Sequence, residues 1–337
     1  MGREKAVPVT VLTGFLGAGK TTILNAVLSA PRGQKRYGVI VNEFGAIGVD
    51  GSLVIGADED VIELANGCLC CSVRGDLIGA LETLLERGGE LDAILVETTG
   101  LADPGPIAAT FLLDDDLSDR VRLDGVVTVL DAVHVERQLA EEDVAASQIA
   151  FADLLVLAKS DIVNPAQRLA AEEAARALNS AAPLLRSELG DLDIEALFGL
   201  RAYDLNTSRL GFSAVPAVDG ARSSHAMSCV SLTLDRSLDP ARFMDWMQDL
   251  VRARGRSILR SKGVVSLQGE DRRLVFQGVQ TMLDGDVRER WAPDEDRRSR
   301  LVFIGRDMDK AELQAGLEAC IAHPSTAPQR CRPVAAS

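Results

Sequence analysis

Nowhere in these 337 residues does an apolar run approach the length of about 20 that a membrane-crossing helix requires. The opening Met1-Gly-Arg-Glu-Lys5 leads straight into a strand pattern and has no signal-peptide apolar core, so a cytoplasmic protein is expected. No block of like charge is long enough to suggest a disordered arm, and no segment repeats another. Positive charge is scarce. Lys and Arg number 36 against 50 Asp and Glu, a net charge of −14, which argues against nucleic acid or an anionic membrane as a partner. Cysteine is sparse and unevenly placed: positions 229, 320 and 331 stand alone, while Cys68, Cys70 and Cys71 share one tetrapeptide. Near-adjacent cysteines in a chain of this size suit metal binding better than a disulfide framework, and a reducing compartment is the default. The remaining composition, 47% hydrophobic and 26% charged, is that of a globular protein with room for one large and one smaller domain.

The most specific feature is Gly14-Phe-Leu-Gly-Ala-Gly-Lys20-Thr21, which follows the apolar run Val7 to Thr13 and opens a helical pattern ending near Ser29. Strand, glycine-rich loop and helix with G-x-x-x-x-G-K-T spacing form a phosphate-binding loop. Gly14, Gly17, Ala18 and Gly19 let backbone N–H groups turn toward an anion, and the helix start at Lys20, Thr21 and Thr22 adds the positive end of its dipole. Lys20 would reach the β- and γ-phosphates, and the Thr21 hydroxyl would ligate Mg²⁺. Further on, Leu91 to Val96 delivers Glu97-Thr-Thr-Gly100. An acid at a strand end followed by a glycine is the pattern in which Glu97 holds Mg²⁺ through water and the Gly100 N–H meets the γ-phosphate. Glu43 and Asp50 flank a glycine-rich loop after the strand Gly38 to Glu43. They are switch candidates or solvated loop acids; Asp50 joins Lys20 and Glu97 as a catalytic candidate.

Strand patterns at Leu53–Ile55, Val61–Leu64, Gly125–Leu130, Asp153–Ala158 and Pro183–Leu185 alternate with helical ones at Arg74–Glu86, Val144–Phe151 and Pro165–Asn179. Nearly continuous apolar strands between helices mean an α/β fold: a mostly parallel sheet covered by helices on both faces. Residues 201–224 lapse into Gly, Ser, Asn, Pro and Ala, a linker between a nucleotide-binding domain (1–200) and a smaller α+β domain (225–323), with a loose tail (324–337). That second domain reads as a strand from Ala226 to Leu234, a helix from Pro240 to Arg252, strands near 258–267, 273–279 and 300–304, and a helix from Asp309 to Ile321.

Asn66-Gly-Cys-Leu-Cys-Cys-Ser72 is the second informative segment. Three thiolates in a loop are soft ligands suited to Zn²⁺, Cu⁺ or, less tightly, Co²⁺ and Ni²⁺. They leave a tetrahedral ion one ligand short, to be met by Glu43, by water or by a partner's side chain. Reduced loop cysteines or a redox pair are the alternatives.

The phosphate loop, Val41-Asn-Glu-Phe-Gly45, the Asn66–Asp76 cysteine segment and Glu97-Thr-Thr-Gly-Leu-Ala-Asp-Pro104 together resemble the CobW-type metal-chaperone GTPases. These are relatives of the nucleotide-dependent metal-insertion proteins that mature urease and hydrogenase. Phe276–Val279 and Leu301–Gly305 resemble that family's C-terminal domain. The resemblance, spanning roughly residues 7 to 322, implies a GTPase cycling between GTP and GDP with Mg²⁺. It would carry Zn²⁺ or Co²⁺ on Cys68, Cys70 and Cys71 to a client metalloprotein, with a nucleotide- or metal-dependent homodimer as a further partner. It also implies that Asp161 contacts guanine, while the Lys159 stem covers the base face. Two departures stand out. Ala158 replaces the Asn that usually opens the base-recognition loop, and no histidine-rich run is present, only His134, His225 and His323. A metal-buffering or sensing module, and a small-molecule P-loop kinase, are the other functions considered.

Overall fold

The computed structural model describes residues 6–30, 35–42, 61–64, 73–87, 90–113, 117, 119–188, 192–203, 227–293 and 295–322. The first sheet is built from β1 (Val7–Thr13), β2 (Tyr37–Asn42), β3 (Val61–Leu64), β4 (Ala93–Glu97), β5 (Val121–Asp131), β6 (Leu154–Ala158) and β7 (Leu184–Arg186). Its order is β3-β2-β4-β1-β5-β6-β7, and each neighbouring pair is parallel. Crossovers run through α1 (Lys20–Ser29), α2 (Val73–Arg87), α3 (Pro104–Leu113), α4 (Val135–Glu141), α5 (Asp143–Phe151) and α6 (Pro165–Leu178).

The continuous apolar strands feed two cores because successive side chains point to opposite faces. On β4, Ile94 and Val96 join the core under α2, α3, α5 and α6. Ala93 and Leu95 join the one under α1, closed by Leu197. The start of α6 follows the capping rules. Asn164 and Gln167 form a reciprocal capping box ahead of Pro165, the first residue of α6.

The second sheet comprises β8 (Met227–Leu234), β9 (Ile258–Val265), β10 (Arg272–Val279), β11 (Met282–Arg290) and β12 (Ser299–Arg306). It is antiparallel in the order β11-β10-β9-β12-β8. One face packs on α7 (Pro240–Arg254) and α8 (Lys310–Ala319) around Phe243, Phe303 and Leu317. The other contributes Met227, Leu259, Val302 and Ile304 to the core it shares with Phe151 of α5. The molecule is thus layered: α1, parallel sheet, helices, antiparallel sheet, helices. A register shift where β12 meets β9 turns both Leu259 and Arg260 toward the first domain. There the Arg260 guanidinium donates to the Phe151 carbonyl (2.8 Å), pairs with Asp153 and lies 4.6 Å from the Tyr203 ring centroid.

The structure differs from the sequence reading in four elements. Helices α3 and α4, a 3₁₀ turn at Ile194–Leu197 and strand β11 are additional. The segments holding Glu43, Asp50 and the Leu53–Ile55 strand expectation lie outside the described residues, as do most of the 201–224 linker and the tail.

Candidate functional site

The C-terminal end of the parallel sheet gathers the site. β1 ends at Thr13 and the chain turns through Gly14, Gly17 and Gly19, all at positive φ, before α1 begins at Lys20. At Gly14, φ is +139°, and an added Cβ would stand 2.3 Å from the Val129 carbonyl oxygen, so no larger residue fits. Ala18 is buried beneath the loop, while Thr22 faces outward on the first turn of α1. Lys20 is itself buried, its ammonium donating to the Gly14 (2.9 Å) and Phe15 (3.3 Å) carbonyls. Burial lowers its pKa, and the negative charge of Glu97 opposes that. The cation is thereby held within the turn of the loop.

Glu97 ends β4, buried, on the α1 side of the sheet. The Thr21 hydroxyl donates to its Oε1 at 3.2 Å. A hydroxyl and a carboxylate meeting at the mouth of a glycine loop form the oxygen donor set that a hard cation requires, so these residues fit Mg²⁺. The strand ends are stitched together by the Thr98 hydroxyl on Thr13 Oγ1 (2.9 Å) and the Thr98 N–H on the Leu12 carbonyl (2.9 Å). Gly100 then lies so close to the loop that a Cβ there would be 2.6 Å from the Leu16 nitrogen. Lys20, Thr21, Glu97 and Gly100, expected from sequence to cooperate, are therefore adjacent.

The loop expected from the sequence to recognise the base follows β6. Lys159 takes φ +58° and sends its ammonium across to the Gly17 carbonyl (2.7 Å) and to Asp131 Oδ2 (2.9 Å). Asp131, at the end of β5, also accepts from His134 Nδ1 (2.9 Å) and from the Val133 N–H (2.8 Å). Burial alone would raise its pKa, but these hydrogen bonds and the charge of Lys159 hold it below the usual carboxylate value. Asp131, His134 and Lys159 line a cavity of about 280 Å³ with Phe15, Leu16 and Gly17. Asp161 is exposed two residues beyond Lys159, and Ala158 is buried. The sequence reading placed Asp131 only as a strand end and gave His134 no role; the D-x-x-H spacing on a strand-to-helix turn was the available signal. Buried Gln148, on α5, was missed entirely.

Cys68, Cys70, Cys71, Glu43 and Asp50 lie outside the described residues. The strand ends that flank them are described. Asn42 pairs with Leu64, and Val41 with Glu97, so β2 ends beside Glu97 and β3 ends at the same edge of the sheet, one strand further out.

Comparison with known proteins agrees in both parts of the chain. The CobW/HypB/UreG nucleotide-binding domain matches residues 8–186, and the cobalamin synthesis protein cobW C-terminal domain matches residues 227–321. The zinc chaperone YjiA of Escherichia coli is 37% identical over 314 residues, covering 92% of this chain and 97% of the relative. The zinc-regulated GTPase metalloprotein activator 1 of Schizosaccharomyces pombe is 33% identical, covering 90% and 83%. The crystal structure of Zn(II)-bound YjiA GTPase from E. coli superimposes with a TM-score of 0.74 at 31% identity, covering 94% of this chain and 99% of the other. With a phosphate loop set against Glu97 and Gly100, and the second sheet matched as well as the first, the chain belongs to the CobW/HypB/UreG family.

Proposed function

We propose that this protein is a GTP-binding and GTP-hydrolysing metallochaperone. It takes a divalent metal, zinc or cobalt, on Cys68, Cys70 and Cys71 with Glu43 as a fourth ligand, and passes it to a client metalloprotein in the cytoplasm. The observation that carries the nucleotide half is the meeting of Thr21 and Glu97 at 3.2 Å beside a buried Lys20, with Gly100 against Leu16. Gly14 to Thr22 would cradle the phosphates, Asp50 would act as a switch acid, and Asp161 would accept from the guanine N1–H and amino group while Lys159 covers the base. Thr21 and Glu97 would hold Mg²⁺, which when bound supplies positive charge to the β- and γ-phosphate oxygens. Lys20 brings its own charge into the loop as the phosphate chain displaces the two carbonyls it now holds.

The cargo half is supported by the relatives, whose names include zinc chaperone and metalloprotein activator. It is supported also by the chemistry of three thiolates on a segment that begins two residues after β3 ends. Because β3 ends at the same edge of the sheet as Glu97, with only β2 between them, a triphosphate and the metal would lie close enough to couple, and each would change the other's affinity by the same factor. A homodimer formed with nucleotide or metal would complete the site.

Metal analysis of anaerobically purified protein, with a non-hydrolysable GTP analogue and with GDP, tests the reading together with phosphate release. One metal per chain, differing in affinity between the two nucleotides, and Mg²⁺-dependent release of phosphate are expected. Equal metal affinity in both states would remove the chaperone cycle, and ATP hydrolysed as fast as GTP would remove Asp161 as base reader.

A further inference from the structure

Helix α5 is buried from Ala145 to Phe151, and the middle residue of that buried run is Gln148. An amide among Ile149, Ala150 and Phe151 is costly to bury unless its N–H groups are used. Those of Gln148 are: Nε2 donates to the Gly100 carbonyl at 3.1 Å and to the Ala102 carbonyl at 3.0 Å. Oε1 has no hydrogen-bond partner among the described residues. The orientation of the amide is therefore fixed, since turned over it would set an oxygen lone pair against two carbonyl oxygens. Gln148 is steadied in turn by its own carbonyl, which accepts from the Thr128 hydroxyl on β5 at 2.8 Å.

The two carbonyls belong to the turn that follows Glu97, closed by the Ala102 N–H on the Thr99 carbonyl (3.1 Å). That turn presses Gly100 against Leu16 of the phosphate loop. A bond donor reaching from a packed helix to both carbonyls fixes the plane of the peptide that joins Gly100 to Leu101, and so anchors the turn immediately after the Gly100 N–H, which lies in the preceding peptide. A helix core with no such duty is better served by leucine or methionine.

We propose that Gln148 is a positioning residue for the triphosphate: by holding the Gly100 and Ala102 carbonyls it keeps the Gly100 turn where a γ-phosphate is met. This rests on the GTPase reading and adds to it the residue through which triphosphate is told from diphosphate. GDP ends short of Gly100 and is indifferent to the clamp.

The test is Gln148→Met, of similar length but without N–H groups, in the full-length protein. The affinity for a non-hydrolysable GTP analogue should fall about tenfold, the loss of one to two net hydrogen bonds, while GDP affinity stays within about twofold. Turnover at saturating GTP should fall in parallel with the analogue's affinity. Thr128→Val, which removes only the hydroxyl holding Gln148, should move the same ratio the same way by a smaller factor. An unchanged ratio of analogue to GDP affinity in Gln148→Met overturns the proposal, as does an equal loss of both nucleotides with a lowered melting temperature. If Gln148→Met does not fold, an unchanged ratio in Thr128→Val overturns it. A parent protein that binds no GTP overturns the GTPase reading itself, whereas a parent that binds and hydrolyses GTP leaves these ratios to judge Gln148 alone.

Discussion

Two buried aspartates sit at opposite ends of the parallel sheet, each paired with a cation, and they are built differently. Asp153, just before β6, meets Arg260 of the second domain; their side chains are 3% and 2% exposed. Asp131, at the far end of β5, is 3% exposed, but its partners Lys159 and His134 are 37% and 45% exposed. In the first pair both members are engaged further: Arg260 also donates to the Phe151 carbonyl, and Asp153 Oδ2 accepts the Val126 N–H (3.0 Å). Asp153 raises the Arg260 pKa against the effect of burial. In the second pair the cations lie along an open cavity and touch the phosphate loop at Gly17. The buried pair fastens one domain to the other. The open pair holds the phosphate loop at Gly17 beside that cavity.

Removing one partner of the closed pair should have the largest effect. Arg260→Met leaves Asp153 charged and unmatched in the interface, and such losses run to about 3–5 kcal/mol. Urea unfolding should show this destabilisation, with GDP affinity unchanged in the fraction still folded. A loss under about 1 kcal/mol would mean water reaches the pair and would erase the contrast. Next comes Lys262, buried on β9 beside Arg260. Burial first, then the charge of Arg260, pull its pKa down from 10.5 to about 8, against the opposing charges of Asp153 and Cys229. Between those values the unfolded chain holds a proton that the folded one has released, so stability rises with pH from about 8 to 10.5 and is lower below 8. Lys262→Met should stabilise the protein at pH 7 by on the order of 2 kcal/mol and flatten that rise. Melting curves from pH 7 to 10 measure both.

The closed pair was invisible in the sequence, and the open one was half visible. Periodicity shows which face of a strand is apolar, but nothing in Ile258–Val265 announces that a register shift turns Arg260 onto the same side as Leu259. The parallel strands were legible because burial on both faces makes them continuously apolar. Strand β11 was not, since Asp284, Asp286, Arg288 and Arg290 lie on an edge that is largely exposed. Helix α3 packs between β5 and β10, so it has no polar face to give a helical period, and Pro104-Gly-Pro106 reads as a turn. At the site, the placing of the glycine loop, Glu97 and Gly100 side by side was legible because each follows directly on an apolar strand of the parallel sheet. Gln148 was not, because its partners are backbone carbonyls 46 and 48 residues away.

The open pair should respond in binding more than in stability. Asp131→Asn removes the charge that holds Lys159 over Gly17, and GDP affinity should fall about tenfold, the value of a charge-assisted contact. Because its folded pKa lies below the ordinary 3.8, the stabilisation from Asp131 is complete above that value and lost only as pH falls through the lowered one. The variant should lack that acid-side slope. Isothermal titration at neutral pH and acid unfolding of both proteins check the two halves. GDP affinity within twofold of the parent would show that Lys159 is placed by Gly17 alone.

The smallest effect is expected at Ala158, which lies between the two kinds of site: buried like the closed pair, but one residue before Lys159. Its Cβ stands 3.6 Å from where a Cβ on Gly19 would be, so a side chain at 158 faces the phosphate loop. An Asn there could offer its amide to the loop and to a base held by Asp161, as the usual base-recognition loop does. One added hydrogen bond is worth about 1 kcal/mol, or roughly fivefold in affinity. On the proposed reading guanine discrimination would rest chiefly on the Asp161 carboxylate, because adenine would set a lone pair against it, and mispairing a charge costs more than a missing amide. Ala158→Asn should therefore tighten GTP about fivefold without changing the order GTP over ATP. Asp161→Asn should move the preference toward xanthosine triphosphate, whose ring carries a carbonyl that an amide can donate to. Titrating the three nucleotides against the parent and both variants decides it. Should Ala158→Asn weaken GTP instead, the space beside Gly19 is too small for the amide, and the alanine belongs with the packed core.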